Sequence, residues 1–507
     1  MFGRDLLSLA HAGFVLAREG AFAPVDPQGL PAGPRLVIGL ARLVEKREGG
    51  RRLSGALQRL GPSYIKLGQF LATRRDLVGR EVADDLASLQ DRMPAFPDAQ
   101  ARKAVEAGLG RPIGEVFSEF GPAVAAASIA QVHRARLKDG RAVAVKVLRP
   151  GIEKRFARDL GTFATAARIG ERLDPEARRL RLTAVVDELA RSAKIEMDLR
   201  MEAAAIAEMA ENITQDPGFR VAEVIWPATS KRVLTTEWID GIPLSDMDAV
   251  RASGHDLEAL AVTAIQSFLR HAMRDGFFHA DMHPGNLFVA PDGALVAVDF
   301  GIMGRLGAKE RHFLAEILWG FIKQDYRRTA QVHFEAGYVP RIHTVEDFSQ
   351  ALRAIGTPIR GQSAQDISMA RLLSQLLEVT EIFDMKTRPE LLLLQKTMVV
   401  VEGVSRNLDP AFDMWSASEP VVGEWIARNL GPAGRLADAA EGVGALARIA
   451  GQAPGLLERA ERLAKDLAEA AERGDFARDT GEATDRRALA LWVGALALVA
   501  IALAQVF

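Results

Sequence analysis

Three polar side chains suited to holding a metal ion and moving a proton lie close together near the middle of this 507-residue chain. Asp281 and Asn286 belong to one short segment that begins at His279, and Asp299 opens an Asp-Phe-Gly triplet soon after it. Carboxylate and amide oxygens are ligands that Mg²⁺ prefers, and nucleotide-dependent phosphoryl transfer uses Asp, Asn and Asp in this order. The pattern predicts Asn286 and Asp299 as Mg²⁺ ligands, with Asp281 orienting or deprotonating the attacking hydroxyl or water.

A predicted β-hairpin between the two metal-ligand candidates explains their spacing. Residues 287–289 and 295–298 are apolar runs on either side of a Pro-Asp-Gly turn sequence. A hairpin folds its two ends together, so Asn286 and Asp299 would face one metal site from opposite sides. Taken singly, the three polar residues are more simply a helix cap, a turn residue and a surface carboxylate. Their combination at these spacings favours the site.

Lys146 is the candidate for binding phosphate. Residues 136–147 predict a second hairpin, with Asp139 and Gly140 as a two-residue turn. The alternate valines of its second strand share one face, so Lys146 points to the other. From such a strand a lysine can reach the α- and β-phosphates, and it then needs a carboxylate on a helix, for which Glu202 is the first choice. A solvated strand face is the alternative interpretation of a single lysine.

An alanine-rich segment precedes this hairpin, at the position where a phosphate-binding loop would come. Its candidate nucleotide-contacting residues are Ala125, Ala126, Ala127, Ser128, Ile129, Ala130 and Gln131. The segment contains no glycine, and methyl groups disfavour positive φ and hold the backbone further from a phosphate. A plain helix is the alternative that the same composition allows.

Composition and the ends of the chain limit the classes of function. With 64 Lys and Arg against 66 Asp and Glu, the net charge of −2 offers no basic field for nucleic acid, and the lack of cysteine excludes disulfides and thiolate metal sites.

Residues 488–507 contain one polar residue, Gln505, and are long enough to span a bilayer. Two arginines precede this segment, which predicts that the protein body lies on the cytoplasmic side. A buried core helix is the alternative.

The first helix and the final segment also suggest contacts outside the chain. Apolar residues recur at helical spacing between Leu7 and Val15, so this first helix could lie on a lipid surface or pack against the chain's own core. The final segment is rich in alanine and contains Gly494, which favours packing against a second copy and predicts a homodimer.

Together these motifs resemble those of the UbiB family of atypical kinase-like proteins, which is tied to ubiquinone biosynthesis. The resemblance covers roughly residues 20–410 by order of motifs. It rests on Lys66-x-Gly68-Gln69, Ala125 to His133, the strand around Lys146, Glu196-x-Asp198, Glu237 to Gly241, His279 to Asn286, and Asp299 to Gly301. Met282 departs from the usual proline of the family, and Ala130 from a frequent glycine.

The resemblance implies an α+β, protein-kinase-like fold of two lobes, with a helical N-terminal extension laid over the active site and a C-terminal transmembrane helix. In that arrangement Lys66 would pair with Glu196 and Asp198, which leaves Glu202 for Lys146. The predicted domains are the extension at 1–110, the N-lobe at 111–240, the C-lobe at 241–410, a helical region at 411–487 and the membrane span at 488–507.

The same resemblance implies a function. It predicts binding of ATP or ADP with Mg²⁺, with Glu237 and Ile239 beside the nucleotide. An extension over the site favours ATP hydrolysis, or phosphorylation of a small or lipid-derived molecule, over phosphorylation of proteins. The expected location is the bacterial inner membrane, and the expected partners are a membrane lipid or polyprenyl quinone intermediate and the enzymes of quinone synthesis.

Two other classes of function stay open on the sequence. A pseudokinase would use nucleotide only as a switch and would act as a lipid-binding or assembly factor for quinone-synthesis enzymes. A phosphotransferase of the aminoglycoside-kinase type has a similar catalytic segment. The Lys66 helix motif and the apolar C-terminal segment argue against the second of these.

Overall fold

The computed structural model describes residues 2–19, 52–72, 74–87, 89, 93–357, 379–380, 382–385 and 389–431. The chain forms two compact units, Met1–Ile426 and Ala427–Phe507, and only residues 427–431 of the second are described. The predicted membrane span at 488–507 lies outside the described residues. Within the described ranges, no helix combines the length and the apolar character that crossing a bilayer requires.

The described part of the first 116 residues is largely helical, as predicted. Its helices are α1 Phe2–Arg18, α2 Arg52–Leu60, α3 Pro62–Ala72, α4 Arg75–Val78, α5 Arg80–Ala87, α6 Asp98–Leu109 and α7 Ile113–Val116. A small core that includes Leu57, Leu60 and Leu86 joins this helical region. The sequence suggests a helix that starts at Tyr64 with Ser63 as its cap, but α3 starts two residues earlier, at Pro62, whose fixed φ suits the first helical position. The Ser63 hydroxyl is buried and has no hydrogen-bond partner among the residues that the structure describes.

Short strands form two four-stranded sheets and one two-stranded sheet among the described residues. The strands are β1 Phe117–Ala126, β2 Ala130–Leu137, β3 Ala142–Leu148, β4 Phe219–Val221, β5 Val233–Glu237, β6 Ile242–Pro243, β7 Phe277–His279, β8 Leu287–Val289, β9 Leu295–Ala297 and β10 Met303–Arg305. The first sheet is antiparallel with the order β1-β2-β3-β5, and the second has the order β4-β9-β8-β6. β7 pairs with β10.

The remaining helices build most of the second half of the fold. They are α8 Ile152–Leu173, α9 Pro175–Arg179, α10 Leu182–Glu196, α11 Leu199–Asn212, α12 Met247–Ala252, α13 Leu257–Arg270, α14 Ala308–Lys323, α15 Tyr326–Glu335, α16 Val345–Gly356, α17 Pro389–Leu408 and α18 Met414–Asn429. The largest core cluster joins α11, α13, α14, α17 and α18 to strands β7 to β9. Buried apolar side chains of several helices therefore support the strands from which the candidate site projects.

The alternating pattern of the first sheet positions Lys146 as predicted. Val143, Val145 and Val147 are fully buried against α6, and this fixes which face of β3 carries the lysine. The predicted hairpin between β2 and β3 is present, but its turn is longer than two residues. Gly140 adopts a φ of 90° and donates its amide hydrogen to the Leu137 carbonyl. A two-residue turn must itself have the twist of the two strands that it joins. A three-residue turn avoids this requirement, because the glycine at its end can adopt the left-handed conformation.

Candidate functional site

The Lys146 ammonium group joins three separate elements of the fold. Its Nζ atom donates to Glu202 Oε1 at 2.8 Å and Oε2 at 3.0 Å, and to Asp299 Oδ1 at 2.9 Å. β3 supplies the lysine, α11 supplies the glutamate, and Asp299 follows β9. The pairing of Lys146 with Glu202 that the sequence favoured is present, and Asp299 is a second partner.

The start of α11 determines where Glu202 lies. Asp198 is the N-cap residue, and its carboxylate accepts a hydrogen bond from the Arg200 amide at 3.2 Å. Glu202 follows one turn later, at 8% exposure, beside the buried Leu199 and Ala203. The Asp198 carboxylate also forms an ion pair with the Arg200 guanidinium at 2.7 Å. Asp198 therefore stabilises the helix that presents Glu202.

Two carboxylates sharing one ammonium group acquire very different proton affinities. The positive charge of Lys146 holds the pKa of Asp299 well below its usual range. Burial raises the pKa of Glu202 to about 7, and the negative charge of Asp299 adds to this rise while Lys146 opposes it. Burial acts to lower the pKa of Lys146, but the two carboxylates outweigh it and hold that pKa above the usual value. Lys146 and Asp299 are therefore both charged at neutral pH.

Asp299 adopts a backbone conformation that is uncommon for a residue with a side chain. Its φ of 61° lies in the left-handed region, which Asp tolerates better than most residues, and its Oδ1 accepts a hydrogen bond from the Gly301 amide at 3.3 Å. The side chain is 49% exposed, while the following Phe300 is buried in the core. Because Phe300 is buried in the core and the Asp299 backbone is strained, the accessible Asp299 carboxylate is held in one place.

The hairpin of β8 and β9 brings Asn286 next to the Asp299 segment, as predicted. Leu287 pairs with Ala297, and the Val298 amide donates to the Asn286 carbonyl at 2.9 Å. The Asn286 Nδ2 atom donates to Asp281 O at 3.0 Å and to Asp281 Oδ2 at 3.2 Å. Because its amide nitrogen is directed at Asp281, the Asn286 amide oxygen points to another side.

The donor set fits a Mg²⁺ ion bound together with a nucleotide. Within the described residues no three carboxylate, histidine or cysteine side chains group closely enough to hold a metal by themselves. Mg²⁺ at nucleotide sites usually takes only one or two protein oxygens and completes its shell with phosphate and water. The Asp299 carboxylate and the Asn286 amide oxygen match this need.

His279 positions the backbone between the two predicted functional segments, a role that the sequence interpretation did not assign. Its Nδ1 atom accepts a hydrogen bond from the Asp281 amide at 3.1 Å, and its Nε2 atom lies 3.2 Å from the Val298 carbonyl. Burial lowers the pKa of His279, so the ring is neutral and carries its proton on Nε2. The signal in the sequence was its place two residues before Asp281.

A second positioning contact comes from far along the chain. The Thr397 hydroxyl of α17 lies 3.0 Å from the Ala280 carbonyl and 2.8 Å from the Leu393 carbonyl, so it can donate to either. Thr397 is buried, and Ala280 directly precedes Asp281. A threonine within an apolar helix carries no local signal for this contact.

Lys66 links α3 to the site. It forms an ion pair with Glu196 at the end of α10, and its positive charge also lowers the pKa of Asp299. Within the N-terminal helical region α3 is closely packed, because a Cβ atom on Gly68 would lie 2.3 Å from a Leu89 methyl carbon. The pairing of Lys66 with Glu196 that the resemblance implied is therefore present.

The alanine-rich segment forms the end of β1, a turn and the start of β2, so the alternative of a plain helix is wrong. Ala125 is exposed, Ala126 and Ala127 are half-buried, and the residues from 128 to 131 are buried. The turn lies beside β3, as a nucleotide loop would require, and its contacts with nucleotide stay predictions.

Gln131 is turned away from the group around Lys146. Its Oε1 atom accepts a hydrogen bond from the Phe96 amide at 2.8 Å, and its Nε2 atom lies 3.2 Å from the Phe96 carbonyl and 2.8 Å from His133 Nε2. The side chain is 1% exposed. It ties the turn to the segment before α6, and only its backbone remains for a nucleotide.

Glu237 and Ile239 lie at the end of β5 and just after it. Glu237 pairs with Val143 of β3, and its carboxylate accepts from Arg220 at 3.2 Å. The Ile239 side chain is buried in a cluster with Val296 of β9. These side chains join the two sheets, and their predicted contact with nucleotide is not decided by this geometry.

Comparison with known proteins identifies the family. Residues 88–333 match the ABC1 atypical kinase-like domain, and residues 352–413 match the UbiB helical domain, which contains Thr397. The chain is 42% identical over 382 residues to the probable protein kinase UbiB of Marinobacter nauticus, covering 74% of this chain and 70% of that one. It is 40% identical over 415 residues to the probable protein kinase UbiB of Pseudomonas putida, covering 81% and 77%.

A solved structure shares the fold of this chain. The complex of Rv3197 with erythromycin from Mycobacterium tuberculosis matches with a TM-score of 0.52 and 25% identity, over 72% of this chain and 93% of that one. Together with the match to the atypical kinase-like domain, this similarity confirms the predicted α+β, protein-kinase-like fold. The chain belongs to the UbiB family of atypical kinase-like proteins.

Proposed function

We propose that the protein is an atypical kinase or ATPase that uses Mg-ATP in support of ubiquinone biosynthesis and acts on or with a lipid-derived intermediate. The observation that carries this proposal is the position of the Lys146 ammonium between Glu202 and Asp299. A lysine held by a helix carboxylate and placed beside a metal-ligand carboxylate is the arrangement that kinase-type phosphoryl transfer needs.

Each residue of the site would have a separate role in phosphoryl transfer. Lys146 would bind nucleotide phosphate, and Glu202 would keep its ammonium group in place. Asp299 and Asn286 would hold Mg²⁺, which neutralises charge on the phosphates. Asp281 would orient the attacking hydroxyl or water, with its carboxylate steadied by the Asn286 amide at 3.2 Å.

A small or lipid-derived acceptor suits the neighbourhood of the site better than a polypeptide. Lys66 reaches from α3 to Glu196 and acts electrostatically on Asp299, so the N-terminal helices occupy space beside the metal-ligand candidate. The solved relative is a complex with erythromycin, which supports small-molecule binding within this fold. The apolar segment at 488–507 would anchor the protein in the bacterial inner membrane, where such an acceptor would reside.

Protection against heat by Mg-ATP tests the nucleotide site. Ligand at 100 times its Kd adds about 2.7 kcal/mol to the free energy of unfolding, so wild type should show a clear rise in Tm. Lys146→Ala and Asp299→Asn should each abolish that rise. Lys231→Ala and Asp139→Asn, at exposed ion pairs, are the matched controls and should keep it. A full Mg-ATP shift in both site variants would remove the site assignment.

Asp281→Asn separates an enzyme from a nucleotide-operated switch. For an enzyme, phosphate release in the presence of lipid vesicles should fall by about 10²–10⁴-fold, the contribution of a positioned acid or base, while the Mg-ATP shift in Tm remains. Phosphate release equal to wild type would favour the pseudokinase alternative. Quinones and their intermediates should then be profiled in a deletion strain complemented with wild type or with Asp281→Asn. Full rescue by the variant would contradict a catalytic role in this pathway.

A further inference from the structure

We propose that Arg149 is a positioning residue for the alanine-rich turn between β1 and β2. It holds this turn against residues 93–96, a short segment before α6 that we call the strap. The inference rests on the proposed function, because it gives the turn a part in binding the phosphates of Mg-ATP. Arg149 itself would not touch the nucleotide and would act through the backbone of the turn.

Arg149 directly follows β3 and lies beside the turn. Its backbone amide donates to the Ile129 carbonyl at 2.8 Å, just beyond the pair of Ala130 with Leu148 in the ladder of β2 and β3. Lys146 belongs to the same strand and pairs across it with Val132. The turn that Arg149 contacts therefore lies near the candidate phosphate-binding lysine.

The half-buried Arg149 guanidinium joins the turn to the strap. Its Nε and Nη2 atoms donate to the Ala127 carbonyl at 3.2 Å and 2.9 Å, and Nη2 also donates to the Pro94 carbonyl at 2.8 Å. A guanidinium has five donors in a rigid plane, so one side chain can hold two carbonyl groups in a fixed relation. Hydrogen bonds from a charged donor are also roughly twice as strong as those between neutral groups.

Three further contacts fix the strap on the turn. The buried Gln131 side chain bonds to the Phe96 amide and lies 3.2 Å from the Phe96 carbonyl. The Phe96 ring lies beside the Arg149 guanidinium, with 5.5 Å between the ring centroid and the guanidinium carbon. The Met93 amide donates to the Ala126 carbonyl at 3.4 Å. The strap is thus attached to the turn both before and after Ala127.

Fixing the Ala127 carbonyl also fixes the next amide. The peptide unit is planar, so the Ser128 N–H points opposite to the carbonyl that Arg149 holds. In a phosphate-binding turn an N–H attracts the ligand and a carbonyl repels it, so the orientation of this plane matters. A glycine could change that orientation easily, but an alanine-rich turn restricts it further. A turn that is ordered before the ligand arrives loses less entropy on binding.

A binding titration separates positioning from a general effect on stability. Partial unfolding lowers the fraction of molecules that bind nucleotide but leaves the Kd of the folded molecules unchanged. A turn that is folded but misplaced raises the Kd. The measurement is a titration of the full chain in detergent with a fluorescent ATP analogue and Mg²⁺, from which Kd and the bound fraction at saturation are both obtained.

Two variants of Arg149 and one control are compared. Arg149→Ala should raise Kd by about 10-fold, the effect of losing one hydrogen bond to a charged group. Arg149→Lys keeps the charge but not the planar set of donors, and its Kd should lie between those of wild type and Arg149→Ala. Arg141→Ala removes an arginine from the other end of β3, where it pairs with Asp139 at 2.9 Å, and should bind like wild type.

Hydrogen exchange without nucleotide tests the order of the turn directly. In Arg149→Ala the peptides that contain residues 125–131 should exchange about 10-fold faster than in wild type, because the turn opens more often. In Arg141→Ala the same peptides should exchange at the wild-type rate. This arm requires no bound ligand, so it reports on the clamp independently of the nucleotide.

The outcomes distinguish this inference from the proposed function. If wild type does not bind the Mg²⁺ complex of the ATP analogue, both are overturned. If wild type binds and Arg149→Ala has the same Kd, only the inference is overturned. It is equally overturned by unchanged hydrogen exchange over residues 125–131 in Arg149→Ala. Wild-type affinity in Arg149→Lys would also overturn it, because positive charge alone would then be sufficient.

Discussion

Glu202→Gln provides the sharpest test of the charge arrangement at the site. Glu202 and Asp299 compete for the one ammonium group of Lys146, and they respond in opposite directions. Lys146 holds the pKa of Asp299 below its usual range, whereas burial raises the pKa of Glu202 to about 7. Glutamine has nearly the same shape as glutamate and resembles its protonated form. The variant therefore removes the titration of Glu202 with little change in packing.

The expected magnitude follows from the change in proton affinity on folding. The pKa of Glu202 rises from 4.5 to about 7, and each unit is equivalent to ~1.36 kcal/mol. Because the folded protein binds this proton more tightly, the contribution is fully present below the unfolded pKa and is lost as pH rises through the folded pKa. Roughly 2.5 kcal/mol of this loss falls between pH 5 and pH 8. The Gln variant escapes it and should gain that much relative to wild type over this interval.

Urea unfolding of the full chain in detergent, followed by tryptophan fluorescence at pH 5 and pH 8, measures the effect. Glu208→Gln is the matched control, because it removes a carboxylate of the same helix from an exposed ion pair with Arg305. Such pairs contribute at most about 1 kcal/mol, so we expect the control to differ little from wild type at both pH values. The reasoning is refuted if the difference between Glu202→Gln and wild type stays constant, or if the variant loses relative stability as pH rises.

Two further predictions concern the elements that support the site. Thr397→Val removes the hydroxyl next to the Ala280 carbonyl. We expect the free energy of unfolding to fall by about 1–3 kcal/mol and phosphate release to slow. If neither value changes, Thr397 does not position the Asp281 segment. Gly68→Ala places a methyl group 2.3 Å from Leu89 and should cost about 1–3 kcal/mol in urea unfolding. Gly55→Ala, with open space around its Cβ position, is the matched control and should be neutral or stabilising by up to about 1 kcal/mol. Equal effects of the two glycine variants would show that close packing of α3 is unimportant.

The parts of the site that the sequence predicted best depend on short-range geometry. A hairpin brings its two ends together, so the placement of Asn286 beside the Asp299 segment followed from the turn between them. Strand alternation likewise placed Lys146 opposite its buried neighbours. The choice of Glu202 over Glu196 as its partner also held, because Glu196 ends α10 and pairs with Lys66, whereas Glu202 lies in α11 and faces Lys146.

The contacts that escaped prediction join residues far apart in the chain. Thr397 bonds to a carbonyl 117 residues away, and Gln131 bonds to a backbone group 35 residues away. The amide of Gln131 could serve a nucleotide or a neighbouring loop equally well by composition. Only the approach of the segment around Phe96, set by the packing of α6 on the first sheet, decides between them.

The charges of the site form a chain that connects the N-terminal helices to the nucleotide-binding candidates. Glu196 pairs with Lys66, Lys66 acts on Asp299, and Asp299 shares Lys146 with Glu202. In this series each cation lies between carboxylates, so moving one member changes the proton affinity of the next. Local sequence patterns can identify each charged residue as a candidate. Which of these residues lie next to one another is decided only when α3, α11 and β3 pack together. The position of α3 and the pKa of the metal-ligand carboxylate are for this reason physically linked.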